Sequence, residues 1–208
     1  GLKIYWSHTV VDTHGYKKLK QISIMELSED GQSFANSNKI DLDCDCLGIA
    51  GGWTPAVHLF TQSGGKLKFR EKDQVFIPNK YPSKQISIGS CNGDFELDEI
   101  IKNSSDNLKD FLKIDNTDFD SLAVENSKET SKRNIWLLPS NKVIGKTKPF
   151  VDYQNDATAN DIKLALREGF RSIEHVKRYT TTGMGTDQGK LGNMHALGII
   201  ADTTGVKM

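Results

Sequence analysis

Cysteine, charge of one sign, long apolar runs and the usual catalytic signatures are scarce or missing from this chain, and each absence removes a class of function. Its three cysteines, Cys44, Cys46 and Cys91, form no CxxC pair, and an odd count at these spacings makes a poor disulfide framework, so a reducing cytoplasmic location is expected. The five histidines, His8, His14, His58, His175 and His195, lie far apart with no HExxH spacing, so local sequence implies no metal. There is no GxSxG elbow, and no Ser, His and Asp set that the sequence alone places together, which leaves a hydrolase without support. No apolar run approaches the length of a bilayer span, and the N-terminus lacks the charged-then-apolar order of a signal peptide; a soluble protein is expected. The 27 basic residues balance 27 acidic ones, so no global field draws the chain to nucleic acid or to an anionic membrane. An initiator methionine is absent too: Gly1-Leu2-Lys3-Ile4-Tyr5-Trp6 begins directly in a strand-like segment, which suggests a piece of a longer polypeptide.

What is present reads as two modest modules in 208 residues. Residues 2–11, 17–26 and 39–50 are rich in β-branched and aromatic side chains, with turn chemistry at His14-Gly15 and Glu29-Asp30-Gly31, so a β-meander is expected. Cys44 and Cys46 alternate with Asp43 and Asp45, which puts both thiols on one side of a strand as core side chains rather than ligands. The third segment ends in Cys46-Leu47-Gly48-Ile49-Ala50, an apolar run typical of a strand buried on both faces of a parallel sheet. A second apolar strand, residues 85–89, runs into Ser90-Cys91-Asn92-Gly93-Asp94, after which Phe95, Leu97, Ile100 and Ile101 recur at helical spacing. That order is either an ordinary βα turn or one that sets backbone N–H groups beside a dinucleotide diphosphate, and no GxGxxG is present to decide.

Residues 103–134 are polar and acidic, a surface connector with a helix expected over residues 107–113, and Ile135-Trp136-Leu137-Leu138 would tie it to one module. Farther on, Thr158-Ala159-Asn160-Asp161 has the spacing of an N-cap with an acidic reciprocal partner. A helix should follow with Ile162, Ala165 and Leu166 inward and Gly169 as its stop, and Ser172 should cap a second with Ile173 and Val176 inward. The run from Glu174 to Lys190 then crowds Lys177, Arg178, Thr180, Thr181, Thr182, Gly183, Gly185, Gln188 and Lys190 together without an apolar period. Glycines let backbone N–H groups approach an anion, threonines donate and cations supply charge, so the run is either a phosphate-holding loop or a solvated basic turn between helices.

Several strings together resemble the α subunit of heterotetrameric sarcosine oxidases. They are Asp45-Cys46-Leu47-Gly48-Ile49-Ala50-Gly51-Gly52-Trp53-Thr54-Pro55-Ala56-Val57-His58 and Phe150-Val151-Asp152-Tyr153-Gln154-Asn155-Asp156-Ala157-Thr158, together with residues 169–181 and Gly183-Met184-Gly185-Thr186-Asp187-Gln188-Gly189-Lys190. The resemblance covers nearly the whole chain and is weakest across the acidic connector. It implies an α/β plus α fold: residues 1–101 as the C-terminal part of a disulfide-reductase-like FAD/NAD(P)-binding domain, 102–145 as the connector, and 146–208 as a small helical domain at the subunit interface. The Rossmann fingerprint and the folate-binding module of that family are absent from this chain.

The resemblance further implies an enzyme that oxidatively demethylates sarcosine to glycine. A β subunit bearing FAD takes the hydride, FMN at the α/β boundary passes electrons to oxygen to give peroxide, and the α subunit carries NAD and uses tetrahydrofolate to trap the one-carbon unit. On this chain Gly51, Gly52 and Trp53 would line the nicotinamide side and Gly89, Ser90 and Gly93 would meet the diphosphate of NAD. Relatives usually place Asp where Ser90 stands, which argues against FAD there. Lys177, Arg178 and Lys190 as charge, and Thr180, Thr181, Thr182, Gly183, Gly185 and Gln188 around them, would hold FMN from the α side. Related modules hold a [2Fe–2S] cluster on four cysteines, but the matching positions here are Asp152, Gln154, Asp187 and a residue near Gly192, so no iron–sulfur cluster is expected. Two other classes stay open: a subunit of a dimethylglycine, opine or proline dehydrogenase, and a non-catalytic subunit-docking module.

Overall fold

The computed structural model describes residues 1–82, 84–114, 135–140 and 147–208. Its contacts divide the chain into two units, residues 1–48 with 135–208, and residues 49–134. The elements are helical and antiparallel β, an α+β chain. Among the described residues no helix is long and apolar enough to cross a membrane.

The first unit opens with the expected meander, β1 (His8–His14), β2 (Gln21–Leu27) and β3 (Phe34–Asp43), antiparallel in the order β1-β2-β3. Ile24 faces Val10 and Ile40 across the ladders and Ile22 faces Leu42, so one face is apolar. The alternate positions pair Ser23 with Asp12 and Asp41, and Met25 with Lys39, which makes the opposite face polar. Residues 2–6, expected within the first strand, lie outside it, with Leu2 and Trp6 exposed.

The run Cys46 to Ala50 is not a strand, and this corrects the expectation of parallel strands. β3 ends at Asp43, Cys46 and Ile49 are exposed, and Cys44 is half-buried, so the thiols are not core side chains. Residues 85–88 likewise join no ladder, and every strand pair among the described residues is antiparallel. An apolar run becomes a ladder strand only where neighbouring backbone accepts its N–H groups and donates to its C=O groups, and among the described residues neither run is paired in this way.

The second unit holds α1 (His58–Gln62), a hairpin of β4 (Lys66–Arg70) and β5 (Val75–Lys80), a 3₁₀ turn (Gly89–Asn92) and α2 (Leu97–Leu112). Phe60 is buried beneath Gly65 and meets the Tyr81 ring edge-on at 4.9 Å. The helix expected over 107–113 is the second half of α2, so the connector begins as helix; its residues 115–134 and 141–146 lie outside the described residues.

The first unit resumes with β6 (Phe150–Asp152) paired to β7 (Ala157–Thr158), followed by α3 (Ala159–Arg167). The capping box forms as its spacing requires: Thr158 Oγ1 accepts the Asp161 N–H, and the Asp161 carboxylate accepts the Thr158 N–H. Ile162, Ala165 and Leu166 are buried, and Gly169 follows the helix at φ +99°. α4 (Ile173–Thr180) starts from Ser172 and turns Val176 fully inward, while Ile173 is left partly exposed. A third helix, α5 (Asn193–Thr204), was not expected. Its buried residues Ala196, Ile199 and Ile200 complete a core with Val151, Ile162 and Val176. Burying each such aliphatic side chain stabilises by about 1.5–3 kcal/mol. Gly198 lies in the middle of α5, where a Cβ would stand 2.1 Å from the Trp136 ring, so its lack of a side chain lets Trp136 pack on the helix. Trp136 and Leu137 pack on this core and Ile135 lies against Gly31, so the 135–138 cluster joins the helices to the meander.

Candidate functional site

The last turn of α4 carries Lys177, Arg178 and Thr180, and the turn from α4 to α5 carries the other six of these nine expected residues, Thr181, Thr182, Gly183, Gly185, Gln188 and Lys190. The hydroxyls of Thr180, Thr181 and Thr182 are engaged within the chain. Thr180 Oγ1 donates to the Val176 carbonyl at 2.8 Å and lies 2.7 Å from Thr182 Oγ1, while Thr181 Oγ1 donates to the Thr180 carbonyl at 2.6 Å. Gly183 adopts φ +72° and Gly189 φ +76°; a Cβ on either would stand 2.1 Å from the Asn193 amide, which sits between them. The turn's glycines therefore serve close packing on Asn193 as well as backbone freedom.

Two side chains from the β6–β7 turn hold this loop. The Asp152 carboxylate accepts the Gly183 N–H at 2.7 Å, the N–H groups of Gln154 and Asn155 at 2.9 and 3.0 Å, and the Asn155 amide at 3.2 Å. Gln154 Oε1 accepts both the N–H and the hydroxyl of Thr186, each at 2.7 Å. Burial alone pushes the Asp152 carboxyl up, but its hydrogen bonds, led by Gly183 and Asn155, outweigh that and hold it below the ordinary carboxylate value. Asp187 accepts the N–H groups of Gly189 and Leu191, and a Cβ on Gly192 would press on the Val151 carbonyl. Among the described residues no group of three or more His, Cys, Asp or Glu side chains is placed to ligate a metal.

The side chains of Lys177, Arg178 and Lys190 have no ion-pair or hydrogen-bond partner among the described residues. Lys177 also lines a cleft of about 180 Å³ between α4 and α5, with apolar walls from Ile173, Val176, Met194 and Leu197 and polar groups from Glu174, Thr182 and Asn193.

The remaining expected residues fall in the other unit. Gly51, Gly52 and Trp53 are exposed and outside any element, with Trp53 at 85%. Gly89 and Ser90 open the 3₁₀ turn and Gly93 ends it at φ +87°, its carbonyl accepting Arg70 Nη2 at 2.5 Å. The following helix carries Asp98 and Glu99 in its first turn, which complement the helix dipole from within and oppose a diphosphate at that end.

Sequence reasoning missed the residues that hold the turn: Asp152, Gln154 and Asn193. An Asp followed by Asn three residues on is a local turn signal, but the bond from Asp152 to Gly183 spans 31 residues and leaves no local trace. It also missed a serine, histidine and aspartate set across the meander. Ser23 Oγ donates to Asp41 at 2.5 Å and lies 2.8 Å from His14 Nε2. Ser23 is fully buried and its proton is directed at the carboxylate rather than at the imidazole, so the set crosslinks three strands and does not generate a nucleophile.

The fold defines a class first. Over 95% of this chain and 39% of the other, it superposes on the crystal structure of L-proline dehydrogenase from P. horikoshii with a TM-score of 0.57 at 18% identity. The family follows from sequence. Residues 146–208 match the sarcosine oxidase A3 domain. The sarcosine oxidase α subunit of Corynebacterium sp. strain P-1 is 30% identical over 218 residues, covering all of this chain and 22% of the relative. That of Rhizobium meliloti strain 1021 is 32% identical over 204 residues, covering 92% of this chain and 19% of the relative. The chain belongs to the sarcosine oxidase α-subunit family and spans about a fifth of the length of the curated relatives it matches.

Proposed function

We propose that this chain is part of the α subunit of a sarcosine oxidase, an assembly that demethylates sarcosine to glycine, releases peroxide and transfers the one-carbon unit to tetrahydrofolate. The organic step belongs to a FAD-bearing β subunit, tetrahydrofolate and most of the NAD site to the rest of the α subunit, and the complex is a cytoplasmic heterotetramer. Residues 1–101 end a dinucleotide-binding domain, 102–145 form the connector, and 146–208 are a small helical domain at the subunit interface. That domain keeps a ferredoxin-like scaffold without the cluster, with Asp152, Gln154 and Asp187 hydrogen-bonded to backbone N–H groups where thiolates would otherwise stand.

The chain's own contribution is to hold cofactors rather than to react. FMN, when bound, supplies electron transfer to oxygen. The 177–190 run would meet its phosphate, and the observation that supports this is three cations whose side chains have no partner among the described residues, with the Gly185 and Asp187 N–H groups also open there. For NAD, Gly51, Gly52 and Trp53 and the Gly89–Gly93 turn remain the candidate wall, the exposed Trp53 ring offering a stacking face.

The test is the reconstituted α/β complex. Sarcosine should yield peroxide, and changing Lys177, Arg178 and Lys190 together to Ala should strip FMN from it. Full retention of FMN would leave the domain a docking module. The similarity in fold to L-proline dehydrogenase favours one rival, an amino-acid dehydrogenase subunit. Flavin reduction by proline with none by sarcosine would select it.

A further inference from the structure

We infer that the cleft between α4 and α5 is a binding site for a small aliphatic α-amino acid, its side chain seated on the apolar floor, its carboxylate on Lys177 and its ammonium on Glu174. The inference goes beyond the flavin reading and does not rest on it, since Arg178 and Lys190 line no part of this cleft.

Two rows of side chains, each spaced three residues apart, build the α4 wall. Ile173 and Val176 form the apolar row, with Val176 fully buried at its foot. Glu174 and Lys177 form the row beside it, and at that spacing Cβ atoms on one helix stand about 5–6 Å apart. From α5, Met194 and Leu197 supply the facing apolar wall, and the small buried Ala196 leaves room at the floor. Glu174 is exposed and Lys177 half-buried; they carry opposite charges one turn apart on the same cleft, yet neither pairs with the other or with any side chain among the described residues. Asn193, on the α5 side, adds an amide with no side-chain hydrogen bond there, a second donor for a carboxylate.

Size decides the class of ligand. The cleft holds about 180 Å³. Sites for drug-sized molecules run from about 300 to 1,000 Å³, whereas an apolar cavity of about 150 Å³ takes benzene, so a flavin or nucleotide is too large and a side chain of about four carbons fits. Charge decides the rest. A fatty acid satisfies Lys177 and leaves Glu174 to solvent, and an alkyl amine does the reverse. An α-amino acid carries both charges on one carbon, meets both residues and remains neutral overall. The side chain of an internal residue of a partner protein would fill the floor but bring neither a free ammonium nor a free carboxylate from its backbone, so the free amino acid is the better complement.

The experiment follows the methyl group of Met194 by NMR in the complete complex, isotope-labelled at methionine and assigned with Met194→Leu. Three probes of one carbon skeleton are titrated: L-leucine, isocaproate, which lacks the ammonium, and isoamylamine, which lacks the carboxylate. L-Leucine should move the Met194 signal with the lowest Kd, and each of the other two should bind about fivefold more weakly. Glu174→Gln should weaken L-leucine and isoamylamine about fivefold and leave isocaproate within about twofold. Lys177→Met should weaken L-leucine and isocaproate by a similar factor and spare isoamylamine. Neither side chain has a partner among the described residues, so the fold should survive both changes. Glu174 has no part in the flavin reading, so a loss of FMN from the Lys177 variant leaves the ammonium arm intact. A Met194 signal that no probe moves, as when another subunit covers the cleft, overturns the inference. Equal Kd for the three probes overturns it too, as do Kd values that neither variant changes, which would place the bound amino acid elsewhere in the complex.

Discussion

Two glycine-rich stretches of this chain, residues 51–53 and 183–189, are equally conspicuous in the sequence and differ completely in the structure. At Gly183 and Gly189 the backbone is pressed against Asn193, and at Gly185 against Gln154, so each missing side chain is replaced by a neighbour. At Gly51 and Gly52 nothing stands within 4 Å of where a Cβ would be, although Gly52 has φ +98°. The lesson is that a glycine marks a site only where something in the same fold packs onto it. The later stretch has Asp152, Gln154 and Asn193 within its own unit, whereas the earlier one is exposed among the described residues.

The contrast is sharpest in the core beside each stretch. Ile162→Ala, at a fully buried position of α3, should cost about 2–5 kcal/mol in urea unfolding, whereas Trp53→Ala should stay within about 0.5 kcal/mol. Comparable costs at the two positions would mean that Trp53 is packed and the contrast false. Next comes the glycine pair. Gly183→Ala combines a positive φ with a clash against Asn193 and should lose about 2–3 kcal/mol, against about 1 kcal/mol for the strained but open Gly52→Ala. The difference in denaturation midpoint between the two variants reads it directly.

Thr158→Ala removes the capping box that starts α3 and should cost about 1 kcal/mol, with exchange of the first-turn amides rising before that of α5. Smallest and dependent on pH is the contribution of Asp152. Its folded value lies below the unfolded one of about 3.9, so its stabilisation is complete above that unfolded value and is lost as pH falls through the folded value. A melting series in acid should therefore fall more steeply for the wild type than for Asp152→Asn. Parallel curves would show that the carboxylate carries no net stabilisation.

Several features were legible because their cause is local. The capping box needs only Thr158 and Asp161, three residues apart, and it forms. The meander needs β-branched runs and turn residues, and it forms with shifted ends. α5 was illegible because a helix with little amphipathic contrast has no 3.6-residue stripe to read, and Gly198 in its middle looks like a breaker until Trp136 is seen lying on it. The run from Cys46 to Ala50 misled in the opposite way, since its composition suits a buried strand but the described residues offer it no ladder. In the candidate site the cations and glycines of residues 177–190 were visible in the sequence, while Asp152, Gln154 and Asn193, which hold the glycine turn, were not.

The sequence by itself determined the starts of α3 and α4, the meander and the kinship with sarcosine oxidase α subunits, because caps, turns and family strings are local. Only tertiary structure decided that Asp152 would reach Gly183, that Ser23 would bind Asp41 rather than become a nucleophile, and that Trp136 would lie on Gly198. Each of those contacts joins residues far apart in the chain, and their energies exist only once the intervening segments have packed.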